Sequence, residues 1–382
     1  MESLFIGFTS LTWQAFVMYA IGGVLIYLAI VKDYEPMLLL PIGFGAIIVN
    51  LPLSSVWSFE GSEGIMQIFY NAGILTEMFP LLIFVAVGAM IDFSPLLKNP
   101  KMFFMGAAAQ FGIFATIAVV VLLGDVFRIP NNELLKVAAS IGIIGAADGP
   151  TSIFVASKFA PQLLGPISVA AYSYMSLVPI IQPPVIRLLT TKKERLIRME
   201  YKNKDISRTT VILFPIIVTV ISGLIAPISV PLVGMLMFGN LIRESGVLEK
   251  LSKSAQNELA NLVTLLLGIT IGSTMRYTEF LQPTTLLILV IGFLAFVFDT
   301  AGGVLFVKFI NLFAKTKMNP MVGAAGISAF PMSARIIQKM GQKEDDQNFL
   351  LMPAVSANVA GQVASAIAGG MVLAIVPWLL GG

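Results

Sequence analysis

Apolar runs long enough to cross a bilayer recur along the whole chain, separated by short polar stretches. A crossing takes about 20 residues at a rise of about 1.5 Å each. The clearest runs are Trp13–Val31, Met102–Gly124, Phe159–Ile186, Thr209–Ile242, Thr284–Phe298 with its continuation, and Phe349–Gly382. Thr209–Ile242 carries Pro227 and Pro231 near its middle and reads as two spans. Shorter spans fit Met37–Leu51, Ile74–Ile91 and Leu259–Met275. Two further runs, Val137–Ala160 and Pro320–Met340, are broken by Gly and Pro and read as re-entrant hairpins or interrupted helices. The pattern predicts an all-α polytopic membrane protein of about ten transmembrane helices.

Charge sets the orientation. The segment Lys192–Arg208 holds Lys192, Lys193, Arg195, Arg198, Lys202, Lys204 and Arg208, so it should face the cytoplasm. The loops at Lys98–Lys101, Arg243–Lys253 and Lys315–Lys317 then fall inside as well, provided that neither hairpin crosses fully. With that assignment 19 of the 24 Lys and Arg lie inside and four outside, with Arg335 in the second hairpin and both termini outside. The first Lys or Arg is Lys32, so the first apolar run is expected to be a retained anchor and not a cleaved signal peptide.

The hairpins resemble one another. A shift of 181 pairs Gly142, Gly145, Pro150, Ser152 and Lys158 with Gly323, Gly326, Pro331, Ser333 and Lys339. A shift of 184 sets Tyr172 and Tyr174 against Ser356 and Asn358. The charge pattern sends one hairpin in from each side, so the repeats should be inverted, an architecture associated with ion-coupled transport. The expected organisation is one integral membrane domain: N-terminal helices at 1–69, a first repeat at 70–186, a basic loop with connecting helices at 187–256, and a second repeat at 257–382.

Composition narrows the chemistry. Of 382 residues, 57% are hydrophobic and 12% charged, about half the charge of a soluble protein. His and Cys are absent, which excludes His/Cys zinc sites, thiol nucleophiles, Cys-ligated iron–sulfur clusters, disulfides and a His base. A net charge of +3 gives no reason to expect nucleic acid. No phosphate-binding loop is present, so energy must come from a gradient or from a reaction whose substrate another protein delivers.

The polar residues inside apolar runs therefore stand out. Asp148 lies in GIIGAADGPTSIFVA, where a membrane carboxylate costs about 2.5–3.5 kcal/mol. With freed carbonyls and the hydroxyls of Thr151 and Ser152 it can form a hard-oxygen Na⁺ site; the plainer reading is an N-cap for the second half-helix, and both can hold. In NPMVGAAGISAFPMSAR, Asn319, Ser328, Ser333 and Arg335 are candidates; Arg335 either snorkels or awaits an anionic substrate group. In SANVAGQVASAIAGG, Asn358 and Gln362 place amides on one helix face. Tyr172 and Tyr174 are among the few proton donors in a chain without His. Asp299 is a second buried carboxylate, either paired with Lys308 or ion-related. Glu77 and Asp92 read as solvated span ends, and Lys343–Asp346 as a solvated loop placed to suit docking of a soluble partner.

These three motifs, with LLIFVAVGAMIDFSPLL and GAAAQFGIF, resemble the β subunit of the Na⁺-transporting carboxylic acid decarboxylases along the whole chain. The resemblance implies that a carboxyltransferase partner loads a biotin carrier, and that the carboxybiotin is decarboxylated here, driving Na⁺ outward and consuming a proton. It implies Asp148 as Na⁺ ligand coupled to the chemistry and Tyr174 as a proton-handling or Na⁺-site residue. Asn319, Ser328, Asn358 and Thr151 complete the Na⁺ set, and Arg335 with Ser333 and Asn358 meets carboxybiotin. It also implies a small membrane accessory subunit, a homotrimeric core and a bacterial or archaeal cell membrane. The rival is a stand-alone Na⁺-coupled secondary transporter of inverted-repeat fold.

Overall fold

A computed structural model describes residues 7–59, 61–124, 129–199, 205–329 and 331–381. Lys202 and Lys204 of the basic loop, and residues 1–6 ahead of the expected anchor, lie outside the described residues. The main helices are α1 Trp13–Lys32, α2 Pro36–Val49, α3 Met78–Met90, α4 Phe103–Ala109, α5 Phe111–Leu123, α6 Asn131–Gly142, α7 Gly149–Phe159, α8 Leu164–Leu189, α9 Arg208–Ile225, α10 Val230–Glu244, α11 Ala260–Thr274, α12 Pro283–Phe313, α13 Met321–Ala324, α14 Met332–Glu344 and α15 Leu351–Leu379. Among the described residues, Ser58–Phe59 pairs with Ser62–Glu63 as the one β ladder.

Among the described residues, five helices are long and apolar enough to cross a membrane, or up to seven if each bent pair counts as one span. The bent pairs are Ile65–Leu75 with Met78–Met90, at 59°, and Pro161–Met175 with Leu177–Leu189, at 65°. In the second, Pro179 offers no N–H to the preceding turn, which weakens the helix there. The expected ten spans would require α2, α10 and α11 to cross as well, and these hold only 14, 15 and 15 residues. The apolar run at 209–242 is divided as its prolines predict, by a 3₁₀ turn at Pro227–Ser229. Helix α15 is central, with 78% of its apolar window buried, whereas α9 has 11% and presents its side chains outward.

Both Gly/Pro-broken runs are interrupted helices. The first is α6, a 3₁₀ turn at Ile143–Ala146, then α7; the second is α13, a non-helical stretch, then α14. Their glycines show the internal repeat in packing. Gly142 lies against Ile113 and Ile117 of its own repeat, and Gly323 against Gly303 and Val307 of its own. Gly145 crosses to Ala295 and Asp299 in the other repeat, and Gly326 crosses to Met105 and Ala109. The hairpin partners keep the shift of 181, and all four helix partners keep a shift of 190. Small residues permit these approaches, because a Cβ at Gly142, Gly323 or Gly326 would fall within 3.0 Å of a neighbouring carbonyl oxygen.

Candidate functional site

The two breaks meet. The Ser328 N–H donates to the Ala146 carbonyl at 3.2 Å, joining the unwound segments of both hairpins. After the 3₁₀ turn, Ala147 takes the left-handed region at φ 54°, unusual for a residue with a Cβ. Asp148 then caps α7. Its Oδ1 accepts from the Thr151 N–H at 3.3 Å, and its Oδ2 accepts from the Thr151 hydroxyl at 2.7 Å and the Ser365 hydroxyl at 2.8 Å. The carboxylate is buried, and no Lys or Arg pairs with it among the described residues. The N-cap reading of Asp148 therefore holds.

Helix α15 holds the other side. Asn358 donates from Nδ2 to the Ile327 carbonyl at 2.6 Å, the Ser328 hydroxyl donates to the Gly361 carbonyl at 2.9 Å, and Gln362 donates to the Ser328 carbonyl. Asn358 Oδ1 is buried and accepts no hydrogen bond. Asp148, Thr151, Ser328 and Asn358 are therefore brought to one junction, with Ser365 added. The donor set is carboxylate, hydroxyl and amide oxygen in a place without nitrogen or sulfur ligands, which fits a small hard cation such as Na⁺ as cargo. Ser365 was not among the expected ligands, although Asn358, Gln362 and Ser365 are spaced i, i+4 and i+7, one face of a helix.

Other expected residues lie elsewhere. Asn319 donates to the carbonyls of Arg195 and Ile197 at 2.9 and 2.8 Å, binding the basic segment to the second hairpin, and shares no partner with Asp148. Ser333 is buried and donates to Gln182 Oε1 at 2.9 Å, while Gln182 donates to the Ala324 carbonyl at 2.8 Å. Arg335, two residues on, is exposed, and no ion pair engages it among the described residues. The Tyr174 hydroxyl donates to the Leu289 carbonyl, with its ring edge-on to Phe293 and Phe296. Tyr172 stands closer to the carboxylate: its ring covers Gly149, where a Cβ would collide with it.

Three peripheral expectations change. Lys308 does not pair with Asp299; it reaches Glu194 at 3.2 Å and the Leu189 carbonyl at 2.9 Å. Glu77 is not a bare span end, because Lys158 at the end of α7 pairs with it. The acidic run at 343–346 is not a free solvated loop. Glu344 pairs with Arg195 at 2.7 Å, and Asp345 takes Arg198 in a bidentate grip at 2.7 and 3.0 Å. Hydrogen bonding from Arg198 holds the Asp345 carboxyl below its ordinary value. The sequence pattern could not reveal the pairs of Glu344 and Asp345, which join residues 149 and 147 positions apart.

Comparison with known proteins agrees with the resemblance in the motifs. Residues 14–376 match the family described as the Na⁺-transporting oxaloacetate decarboxylase beta subunit. The chain is 50% identical to the glutaconyl-CoA decarboxylase subunit beta of Acidaminococcus fermentans, over 97% of this chain and 95% of that one. It is 49% identical to the methylmalonyl-CoA decarboxylase subunit beta of Veillonella parvula, with the same coverage. It is 45% identical to the oxaloacetate decarboxylase beta chain of Klebsiella pneumoniae, over 94% of each. The chain belongs to the family of beta subunits of Na⁺-transporting decarboxylases.

Proposed function

We propose that this chain is the membrane subunit that decarboxylates carboxybiotin and couples that step to outward Na⁺ movement. The observation that carries the reading is the Asp148 carboxylate, buried with no basic partner among the described residues, where two broken helices join. Asp148, Thr151, Ser328, Ser365 and Asn358 hold the ion. Arg335, exposed on α14, receives the carboxylate of the substrate, for which a planar guanidinium is suited. In decarboxylation the bond between the ureido nitrogen and the carboxyl carbon breaks, CO₂ departs, and the nitrogen takes up a proton. With no His in the chain, the tyrosines beside the first hairpin are the side chains available to pass that proton, Tyr174 in the expected role and Tyr172 nearer to Asp148. Ser333 and Asn319 support this arrangement through Gln182 and the basic segment respectively.

The biotin carrier and carboxyltransferase, a small membrane accessory subunit and further copies of this chain in a trimer complete the assembly in this reading. Its site is the bacterial cytoplasmic membrane, with the basic segment inside. Moving one charge against 100 mV costs roughly 2.3 kcal/mol, so a modestly exergonic decarboxylation drives one or two ions. The test is CO₂ release from carboxybiotin by the purified complex with and without Na⁺. Release that requires Na⁺ supports the proposal; Na⁺ transport by this chain alone, with no carboxybiotin turnover, would favour a stand-alone transporter.

A further inference from the structure

The last turns of α12 carry a depression on the outer face of the protein, away from Asp148. Leu305, Phe309 and Leu312 follow one another there at i, i+4 and i+7, and all three are exposed. Leu305, Phe306 and Phe309 join Phe104 of α4 and Phe111 of α5 in lining an apolar groove of about 500 Å³. Small residues leave the room for it. Ala107 and Ala108 also line the groove, and Gly302 lies so near α5 that a Cβ there would come 3.0 Å from the Phe111 Cβ.

Phe309 also lines a second cavity, of about 550 Å³, together with Leu312, Lys193, Glu194, Lys308 and Lys317. The two cavities therefore adjoin along α12, one apolar and one basic. In the second, three ammonium groups face one carboxylate, and that carboxylate is already engaged. Glu194 accepts from the Thr191 N–H at 2.7 Å and the Thr191 hydroxyl at 2.9 Å, and pairs with Lys308 at 3.2 Å. Lys193 and Lys317 are exposed, and no ion pair engages either among the described residues.

The fold holds this basic end in place. Asn319 and Asn348 both donate to the Arg195 carbonyl, at 2.9 and 3.0 Å, and Lys308 donates to the Leu189 carbonyl at 2.9 Å, which fastens the segment bearing Lys193. Asn311 and Met318 exchange two hydrogen bonds, at 2.7 and 2.8 Å, that turn the chain back after α12, and Lys317 donates to the Asn311 carbonyl. From Gly302 to Leu312 the two cavities cover ten residues of α12. That is about 15 Å, half of the roughly 30 Å hydrocarbon core of a bilayer. An apolar slot one leaflet deep, ending in surplus cations, suits a lipid with an anionic headgroup. A soluble anion would leave the apolar half bare, and a neutral lipid would leave the ammonium groups uncompensated.

We propose that this depression binds an anionic phospholipid, its phosphate among Lys193, Lys308 and Lys317 and an acyl chain along α12. The inference goes beyond the decarboxylation reading and requires only that the chain lies in a membrane. Native mass spectrometry of the purified, delipidated complex tests it, with phosphatidylglycerol and phosphatidylcholine of the same acyl chains titrated in turn. Phosphatidylglycerol should bind the wild type about tenfold or more tightly than phosphatidylcholine. Lys193→Gln combined with Lys317→Gln should abolish that preference and leave phosphatidylcholine binding unchanged; both side chains lie at the surface, where exchange spares the packing. Ala108→Leu, which fills the groove, should weaken phosphatidylglycerol binding roughly tenfold. Inorganic phosphate at millimolar concentration should not displace the lipid. Equal binding of the two lipids by the wild type, as expected if another subunit or a second copy fills the groove, would overturn the site. So would an undiminished preference in the double lysine variant, full affinity in Ala108→Leu, or displacement by inorganic phosphate, which would mark a site for free anions.

Discussion

Gly361→Ala places one methyl group where the two halves of the ion site are held together. The new Cβ would meet the Gly326 carbonyl oxygen well inside contact distance, 2.9 Å from the Gly326 carbonyl carbon and 3.0 Å from the Ile327 oxygen. Relief requires α15 and the second break to part by about 0.8 Å. The Ser328 hydroxyl bond to the Gly361 carbonyl, now 2.9 Å, would pass out of hydrogen-bonding range, and the bond from Asn358 to Ile327 would lengthen with it. At about 0.5–1.5 kcal/mol for each bond, plus strain, the loss is roughly 2–4 kcal/mol. Helix propensity acts in the opposite sense, since Ala exceeds Gly by about 1 kcal/mol within a helix. The assay is thermal unfolding of the purified complex together with the Na⁺ dependence of decarboxylation. The expected result is a lower unfolding temperature and about tenfold or more weaker Na⁺ half-saturation, because Ser328 and Asn358 leave their places. A variant as stable as the wild type, with unchanged Na⁺ dependence, would refute the reasoning.

The same physics reaches other positions. Gly149→Ala should destabilise by about 1–3 kcal/mol through the Tyr172 ring, and Tyr172→Leu should recover part of it; additive effects in thermal unfolding would contradict the contact. Ser333→Ala and Gln182→Leu should couple by about 0.5–1.5 kcal/mol in a double-mutant cycle, whereas zero coupling would deny their shared bond. Because hydrogen bonding from Arg198 lowers the Asp345 pKa, that pair's contribution is present above the ordinary carboxylate range and is lost as pH falls through the lowered value. Hydrogen-exchange protection factors over residues 192–199 should therefore hold at neutral pH and fall only once the pH drops below the ordinary carboxylate range. Asp345→Asn should loosen the segment at neutral pH, and loosening of the wild type near pH 7 would be the contrary finding.

Much of the fold was legible because each signal was local. Apolar run length located the long helices, and Pro227 marked the division of 209–242. Gly145, Gly149 and Pro150 announced the first break, since these residues cannot sustain a helix within an otherwise continuous apolar run. The repeat was visible in five identities, but its physical basis, the reciprocal seating of Gly145 and Gly326 on each other's repeat, needed three dimensions. Span counting was less secure, because 15-residue helices such as α10 and α11 carry too little length to report a crossing.

At the site, Asp148 was evident because a lone carboxylate in an apolar run is costly. Ser365 was not, because one Ser among Ala and Gly looks like a packing residue until its hydroxyl is seen on Asp148. Asn319, Ser333 and Tyr174 carry the right chemistry in the sequence, yet the fold commits their side chains to the Ile197, Ala324 and Leu289 carbonyls among other partners. Sequence spacing cannot anticipate such distant acceptors. The long-range Arg195–Glu344 and Arg198–Asp345 pairs were hidden for the same reason: each half alone resembles solvated loop charge.

The most direct measurement compares Asp148→Asn with the wild type in vesicles containing the assembled complex, following CO₂ release from carboxybiotin and Na⁺ movement together. The amide keeps the shape and can still cap α7, but it lacks the charge that binds the ion. Loss of both Na⁺-stimulated decarboxylation and Na⁺ transport, in a complex that assembles and melts like the wild type, is the predicted result. Coupled transport at the wild-type rate would contradict it.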